Sequence, residues 1–172
     1  MNTFSLVIHV IAAVLLVGPQ VLLFFAVVPA TWLIDDERLR RNVTRVVTAR
    51  FGMLAGVALL LLLVTGIYQY TQMPAGVRQH MNDFRWGPIF EFKIGLLVLF
   101  LGLLAYHVMF VAPVIARLSD LVISGGTDDD RSALDSQRRL SFMVSFGMML
   151  VSLALIVTAV LLSDHGFSFV KR

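Results

Sequence analysis

The fold of this chain is decided by four apolar stretches, and the most informative of them is residues 86–107, which read WGPIFEFKIGLLVLFLGLLAYH. This stretch is long enough to cross the hydrocarbon core of a bilayer, which takes about 20 residues of helix. A lysine, Lys93, and a histidine, His107, stand within it. Because an ionisable group at membrane depth costs about 3 kcal/mol even on lenient insertion scales, each of them is a candidate functional residue.

The composition of the whole chain agrees with a membrane protein. Of its 172 residues, 58% are hydrophobic and only 15% are charged, which is more apolar surface than a water-soluble domain can bury. We therefore predict an all-α integral membrane protein, with residues 1–172 forming a single domain of four transmembrane helices in a bundle. The predicted spans are residues 4–34, 51–70, 88–116 and 140–163.

The basic residues are distributed unevenly between the two sides of these spans. Four lie on the side of the chain termini, one is Lys93, and nine lie in the two loops that join the first span to the second and the third to the fourth. Short cytoplasmic loops are enriched in lysine and arginine, so we predict both termini outside and both basic loops in the cytoplasm. The nine loop residues are Arg38, Arg40, Arg41, Arg45, Arg50, Arg117, Arg131, Arg138 and Arg139.

This charge pattern also bears on partners and location. The basic residues orient the chain in a lipid bilayer and form no nucleic-acid-binding patch, so no nucleic acid is expected as a partner. We expect a multi-pass protein of the cytoplasmic (inner) membrane of a prokaryote. The absence of cysteine excludes disulfides, thiolate metal sites and covalently attached c-type haem. Any haem would therefore be held non-covalently.

Polar residues in the first and third spans fall into a regular pattern. His9 and Lys93 each lie about five residues inside the outer start of a span, which places both about 7–8 Å deep. His9 and Gln20, and likewise Lys93 and His107, are spaced so that each pair shares one face of its helix. If the two spans face each other, His9 and Lys93 form an outer polar layer, and Gln20 and His107 form an inner one.

Each of these residues also has a structural interpretation. Lys93 is shallow enough to extend its amine to the outer headgroups. His9 can hydrogen-bond a neighbouring helix, and His107 can be a structural histidine in the same way.

A second set of candidates lies at the outer mouth of the predicted bundle. Met73, His80 and Met81 of the loop at residues 71–87, together with His165, offer soft ligands for copper. The alternative is a solvated loop whose methionines pack at the membrane interface.

Several short motifs run through the first three spans. They are Ile8-His9-Val10, Val17-Gly18, Arg40-Arg41, Leu63-Val64-Thr65-Gly66-Ile67-Tyr68, Trp86-Gly87, Phe92-Lys93-Ile94 and Tyr106-His107. In these motifs, residues 4–118 resemble the superfamily that joins the CopD copper-resistance membrane domain with the HemJ-type protoporphyrinogen oxidases. The chain departs from the HemJ-type pattern after the first histidine, where it reads Leu16-Val17-Gly18-Pro19.

The resemblance implies a function. In HemJ-like proteins the positions that match His9 and Lys93 are associated with b-type haem and activity, whereas CopD-like proteins are linked to copper passage. We therefore expect a haem-b-binding membrane redox protein that acts with quinone or a porphyrin substrate, with His9 and Lys93 as axial ligands. From their place in the inner layer, His107 and Gln20 are added as cofactor-binding candidates. The alternatives are a CopD-like copper transport protein and an accessory subunit of a larger membrane complex or homo-oligomer.

The predicted orientation is testable because the chain has no cysteine of its own. A single cysteine introduced by Gln79→Cys should react with a membrane-impermeant thiol reagent added to intact cells. A single cysteine introduced by Asp129→Cys should react only after the membrane is permeabilised, because its loop lies on the cytoplasmic side. Labelling of Asp129→Cys in intact cells, with Gln79→Cys protected, would mean that the orientation is reversed.

Overall fold

The structure is a computed structural model, and it describes residues 3–73 and 75–170, apart from the side chains of Val77 and His165. Four long helices make up most of the chain, and no β-strand occurs among the described residues. The predicted all-α class with four membrane-spanning helices is thereby confirmed. The long helices are α1 (Thr3–Trp32), α2 (Glu37–Thr71), α3 (Trp86–Ile123) and α4 (Asp128–Ser163), and shorter ones occur at Ala75–Gln79, Met81–Asp83 and His165–Ser168.

The surface of the long helices is apolar. In the most apolar window of each helix only 11–28% of the residues are buried. Phe4, Leu60, Val98 and Val157, one from each long helix, are all more than half exposed. Exposed apolar surface costs about 25 cal/mol per Å² in water, so hydrocarbon is the solvent that these helices fit. The chain is a multi-pass membrane protein.

The helices extend beyond the predicted spans on the side of the basic loops. Helix α2 begins at Glu37 instead of residue 51, and α4 begins at Asp128 instead of residue 140. Helix α3 continues past residue 116 to Ile123. Hydropathy marks only the part of a helix that lipid covers, whereas the charged turns continue as helix because their ends are capped.

Side-chain caps start both helices that leave the basic loops. The Asp36 carboxylate accepts hydrogen bonds from the backbone N–H groups of Arg38 (2.8 Å) and Leu39 (3.3 Å). At the start of α4, the Asp130 carboxylate accepts from the Thr127 N–H (2.9 Å), and the Thr127 hydroxyl accepts from the Asp130 N–H (3.3 Å). These reciprocal bonds form a capping box, which satisfies backbone donors that a helix end leaves unpaired.

Two of the long helices contain a wide π-helical turn, one at Leu23–Val27 in α1 and one at His107–Val111 in α3. Each turn comes just before a proline, Pro29 or Pro113. Proline lacks an N–H group, and its ring crowds the carbonyl four residues earlier. A wider turn relieves this crowding, so both helices continue through their prolines.

The contacts divide the chain into two compact units. The terminal unit contains Met1–Gly18, Met53–Leu99 and Val151–Arg172, and the basic-loop unit contains Pro19–Gly52 and Phe100–Leu150. Each unit includes a segment of all four long helices.

The basic-loop unit is held by an ion pair between helices. One guanidinium nitrogen of Arg138, on α4, donates to both carboxylate oxygens of Glu37, on α2, at 2.6 and 2.8 Å. The hydroxyl of Ser119, on α3, donates to the same carboxylate at 2.5 Å. Glu37 and Arg138 are 16% and 22% exposed, and Ser119 is buried. Three helices therefore meet at one partly desolvated carboxylate.

Further contacts join the same four segments. Arg41 donates two hydrogen bonds of 3.0 Å to the carboxylate of Asp120, which links α2 to α3. The ring of Phe24, on α1, stacks on Phe142 and Phe146 of α4, with ring centres 4.6 and 5.2 Å apart. Two of the basic residues that were predicted to set the membrane orientation, Arg41 and Arg138, thus also hold helices together.

The terminal unit is held mainly by aromatic packing. Trp86 and Tyr70 stack on Phe90, with centroids 4.8 and 5.4 Å away. Trp86 is 6% exposed. The Arg85 guanidinium lies over the ring of Phe167 at 5.2 Å, which ties the segment before α3 to the end of the chain. These contacts fix the start of α3, and with it the height of Lys93.

We predict that Arg138→Ala destabilises the protein by about 1–3 kcal/mol, because it leaves the Glu37 carboxylate with only its longer ion pair to Arg40, 3.9 Å away, in a poorly hydrated place. Arg131→Ala is the matched control. The Arg131 ion pair with Asp128 is exposed and 3.8 Å long, so its loss should change stability by less than about 0.5 kcal/mol. Unfolding of the purified variants in detergent measures both. Equal stability of the two variants would contradict a structural role for the Glu37 ion pair.

Candidate functional site

His9 lies half-buried on α1 in the terminal unit. Its Nδ1 atom is 2.7 Å from the hydroxyl oxygen of Thr65 on α2. Thr65 is itself buried, and its hydroxyl oxygen lies 2.5 Å from the backbone carbonyl oxygen of Leu61, one turn earlier. Two oxygens at that distance need a hydrogen between them, so the single Thr65 proton is committed to Leu61. The hydroxyl therefore accepts at His9.

This arrangement favours one tautomer of the histidine. If the Thr65 oxygen accepts a hydrogen bond from Nδ1, then Nδ1 carries the proton and Nε2 carries the lone pair. The same division is found where a histidine binds a metal through one nitrogen and donates from the other. Thr65 thus leaves His9 with one nitrogen that can act as a ligand or accept a proton.

Lys93 also lies within a long helix of the terminal unit. It is half-buried on α3, and it is near enough to His9 to interact with the imidazole electrostatically. None of the hydrogen bonds or ion pairs of the described residues involves its amine. The structure thus brings together two of the four residues that were predicted to bind a cofactor.

The other two residues, His107 and Gln20, belong to the basic-loop unit. His107 opens the π turn of α3, and its Nε2 atom is 3.0 Å from the hydroxyl of Ser141 on α4. The side-chain oxygen of Gln20 is buried, and no described residue hydrogen-bonds to it. His107 therefore has a partner of its own on α4.

The proposed copper ligands lie outside the long helices. His80 forms an exposed pair with Asp83, its Nδ1 atom 3.3 Å from the carboxylate. Met73 and Met81 are half-buried, and the side chain of His165 lies outside the described part of the structure. No group of three or more His, Cys, Asp or Glu side chains that could hold a metal occurs among the described residues.

Thr65 is the residue of this site that sequence reasoning did not assign a role. A threonine between leucines in a membrane helix commonly bonds its own backbone, so it gives no sign by itself of a second partner. Gly66, beside it, faces the His9 ring, and a Cβ there would be 3.6 Å from His9 Cε1, an ordinary contact distance.

His9 and Lys93 can together bind a metal ion or take up a proton. A neutral imidazole nitrogen and an amine are both donors to transition metals, and both can take up a proton. An apolar surrounding raises the strength of each such interaction, because water does not compete for the groups.

Comparisons of the chain with protein-family models, with curated proteins and with solved structures give no match.

We predict that Thr65→Val changes the tautomer of His9. In the wild type, ¹⁵N NMR of histidine-labelled protein should show a protonated Nδ1 and an unprotonated Nε2 for His9. The valine variant removes the acceptor and should lose this preference, whereas Thr65→Ser should keep it. Gly66→Ala, which touches the ring without a hydrogen bond, is the matched control and should leave the signals in place. An unchanged His9 spectrum in Thr65→Val would contradict the assigned tautomer.

Proposed function

We propose that this protein binds b-type haem within the membrane through His9, with Lys93 as the second ligand, and serves a redox reaction with quinone or a porphyrin substrate. The observation that carries the proposal is the 2.7 Å contact between His9 Nδ1 and the Thr65 hydroxyl. It commits one imidazole nitrogen to the protein and leaves the other for the iron.

The donor set fits haem iron. Histidine is the commonest protein ligand of haem, and an amine nitrogen is a further neutral donor. Because the chain contains no cysteine, the two nitrogen donors suit a non-covalently held b-type haem. His107 fits this role less well, because its Nε2 is already engaged with Ser141.

An apolar cleft lies beside the segment of α3 that carries Lys93, and neither Lys93 nor His9 is among its walls. It has a volume of about 460 Å³ and lies between α3 and α4 in the terminal unit, with walls that include Ile89, Phe92 and Val157. This volume falls within the usual range for small-molecule sites, roughly 300–1,000 Å³, and such sites are lined mainly by apolar side chains. The edge of a porphyrin or the ring of a quinone suits such walls.

The chain's own residues would perform three tasks. Thr65 holds the imidazole of His9 in one tautomer and orientation, and the apolar helices exclude water from both nitrogen donors. Lys93 offers an amine that can bind or hold a proton close to His9. A bound haem would supply one-electron chemistry.

The visible spectrum of the purified protein tests the proposal. After expression with ample haem, the wild type should show a Soret band. His9→Ala should abolish the band, and Lys93→Ala should shift it. Thr65→Val should weaken haem binding about 10–100-fold, which is typical when a partner of a ligating histidine is lost. His80→Ala is the matched control, because His80 is an exposed histidine paired with Asp83, and it should leave the spectrum unchanged.

The same preparation distinguishes the alternatives. Absence of a Soret band would contradict the haem proposal. Copper retained by the purified protein, and lost in His80→Ala or Met81→Ala, would favour the CopD-like copper reading instead. Co-purification of other membrane proteins without either cofactor would favour an accessory subunit.

A further inference from the structure

An arginine lies at one end of the apolar cleft between α3 and α4. Arg85 directly precedes α3, and its backbone carbonyl accepts a hydrogen bond (3.4 Å) from the N–H of Ile89, which is a wall residue of the cleft. Its guanidinium lies over the ring of Phe167, 5.2 Å from the ring centroid. Phe167 follows α4, six residues after Leu161, a wall residue on the opposite side. The contact between Arg85 and Phe167 therefore joins the two sides of the cleft at the end nearer the chain termini.

The guanidinium of Arg85 keeps hydrogen-bond donors for another partner. Its side chain is exposed, and none of the ion pairs among the described residues involves it. Two nearby carboxylates have contacts of their own, since Asp83 lies 3.3 Å from His80 and Asp164 accepts a hydrogen bond from the Phe167 N–H at 3.2 Å. A guanidinium that places its face on an aromatic ring leaves its edge free, and the N–H groups of that edge match the oxygens of a phosphate.

The cleft itself is apolar and opens sideways from the helices. Phe92 and Val157, one on each side, are 60% and 57% exposed. On α4 the walls extend from Ala154 to Leu161, about 10 Å along the helix axis. Of the described residues that line the cleft only Thr158 is polar, and its hydroxyl already donates to a backbone carbonyl of its own helix at 2.9 Å. The cleft therefore offers an apolar surface that faces the hydrocarbon of a bilayer.

A phospholipid matches both features in the right order. Its phosphate lies at the membrane surface, and its acyl chains extend from there into the hydrocarbon. Arg85 likewise stands where the membrane-spanning helix α3 begins, and the cleft continues inward from that level. Contacts between a guanidinium and a phosphate are charge-assisted and strong. A quinone suits the same apolar walls, but it carries no anionic group for the guanidinium.

We infer that the cleft is a binding site for one phospholipid of the leaflet on the side of the chain termini. Arg85 binds the phosphate, and the walls between α3 and α4 hold an acyl chain. Phe167 is a positioning residue, because its ring keeps the guanidinium above the cleft. The inference goes beyond the proposed function and does not depend on haem, since neither His9 nor Lys93 lines the cleft.

The plainer alternative is an arginine that meets headgroups at the membrane surface without a defined site. That alternative predicts that no phospholipid stays with the protein after extraction and that the shape of the cleft has no influence. A defined site requires instead that the headgroup and the acyl chain are both recognised.

Lipid binding by the purified chain in mild detergent tests the headgroup contact. Native mass spectrometry should show one dioleoyl phosphatidylglycerol bound to the wild type. Arg85→Gln should weaken this binding about 10-fold, as expected for the loss of a charge-assisted contact. Arg85→Lys keeps the charge and should retain most of the binding. Dioleoylglycerol, which has the same chains without a phosphate, should bind equally to the wild type and to Arg85→Gln. Arg78→Gln is the matched control, because Arg78 does not line the cleft, and it should bind the phospholipid as the wild type does.

A second pair of variants tests the cleft. Val157→Phe fills the cleft and should weaken the binding of both lipids about 10-fold, because the acyl chain loses its apolar contacts. Val160→Phe adds the same group outside the cleft, at a position that is 59% exposed where Val157 is 57% exposed, and should change nothing. Equal phospholipid binding by the wild type and Arg85→Gln, or by Val157→Phe and Val160→Phe, overturns the inference. So does a quinone that binds more tightly than the phospholipid and is lost only in Val157→Phe, because the cleft would then be a quinone site.

Discussion

The hydrocarbon of a bilayer offers no hydrogen-bond partner, and the structure follows from that one constraint. Every backbone group in the membrane must be satisfied inside its own helix, so the chain forms long helices whose surfaces are apolar and exposed. The few polar side chains that remain must find partners on a neighbouring helix. His9 with Thr65, His107 with Ser141, and Glu37 with Ser119 and Arg138 are the results. Each of these contacts joins helices that lipid alone gives little reason to associate.

These polar contacts differ in whether they leave a hydrogen-bonding atom without a partner. The Glu37 carboxylate receives hydrogen bonds from two helices, and its charge is matched by a guanidinium, so it serves as a structural joint. The imidazole of His9 is different, because a single hydroxyl holds one nitrogen and no described residue bonds to the other. In a membrane helix, a polar group with an unpaired nitrogen costs free energy, and helix packing alone does not require such a group. That contrast is why the proposed function rests on His9 and not on the more extensive network around Glu37.

The sequence was sufficient for the four spans, because hydropathy is a strong signal. It also singled out His9 and Lys93 as candidates, because an ionisable group at membrane depth is unusual. It did not predict that α2 and α4 begin at Glu37 and Asp128, since hydropathy does not register charged turns whose ends are capped. Nor did it reveal that Thr65 and not a residue of α3 is the hydrogen-bond partner of His9, because partners across helices depend on which faces meet.

The π turns have a consequence for how each helix presents its side chains. A turn of this kind holds one residue more than an ordinary helical turn, so everything after it is rotated by roughly 100° from where an unbroken α-helix would put it. The stripe of side chains that begins at one end of α1 or α3 is therefore not the stripe that continues after Val27 or Val111. Each helix presents one angular sector before its wide turn and a different sector after it. A single helix can in this way meet different neighbours along its length, and an insertion or deletion of one residue within the turn alters that phase without altering either flank.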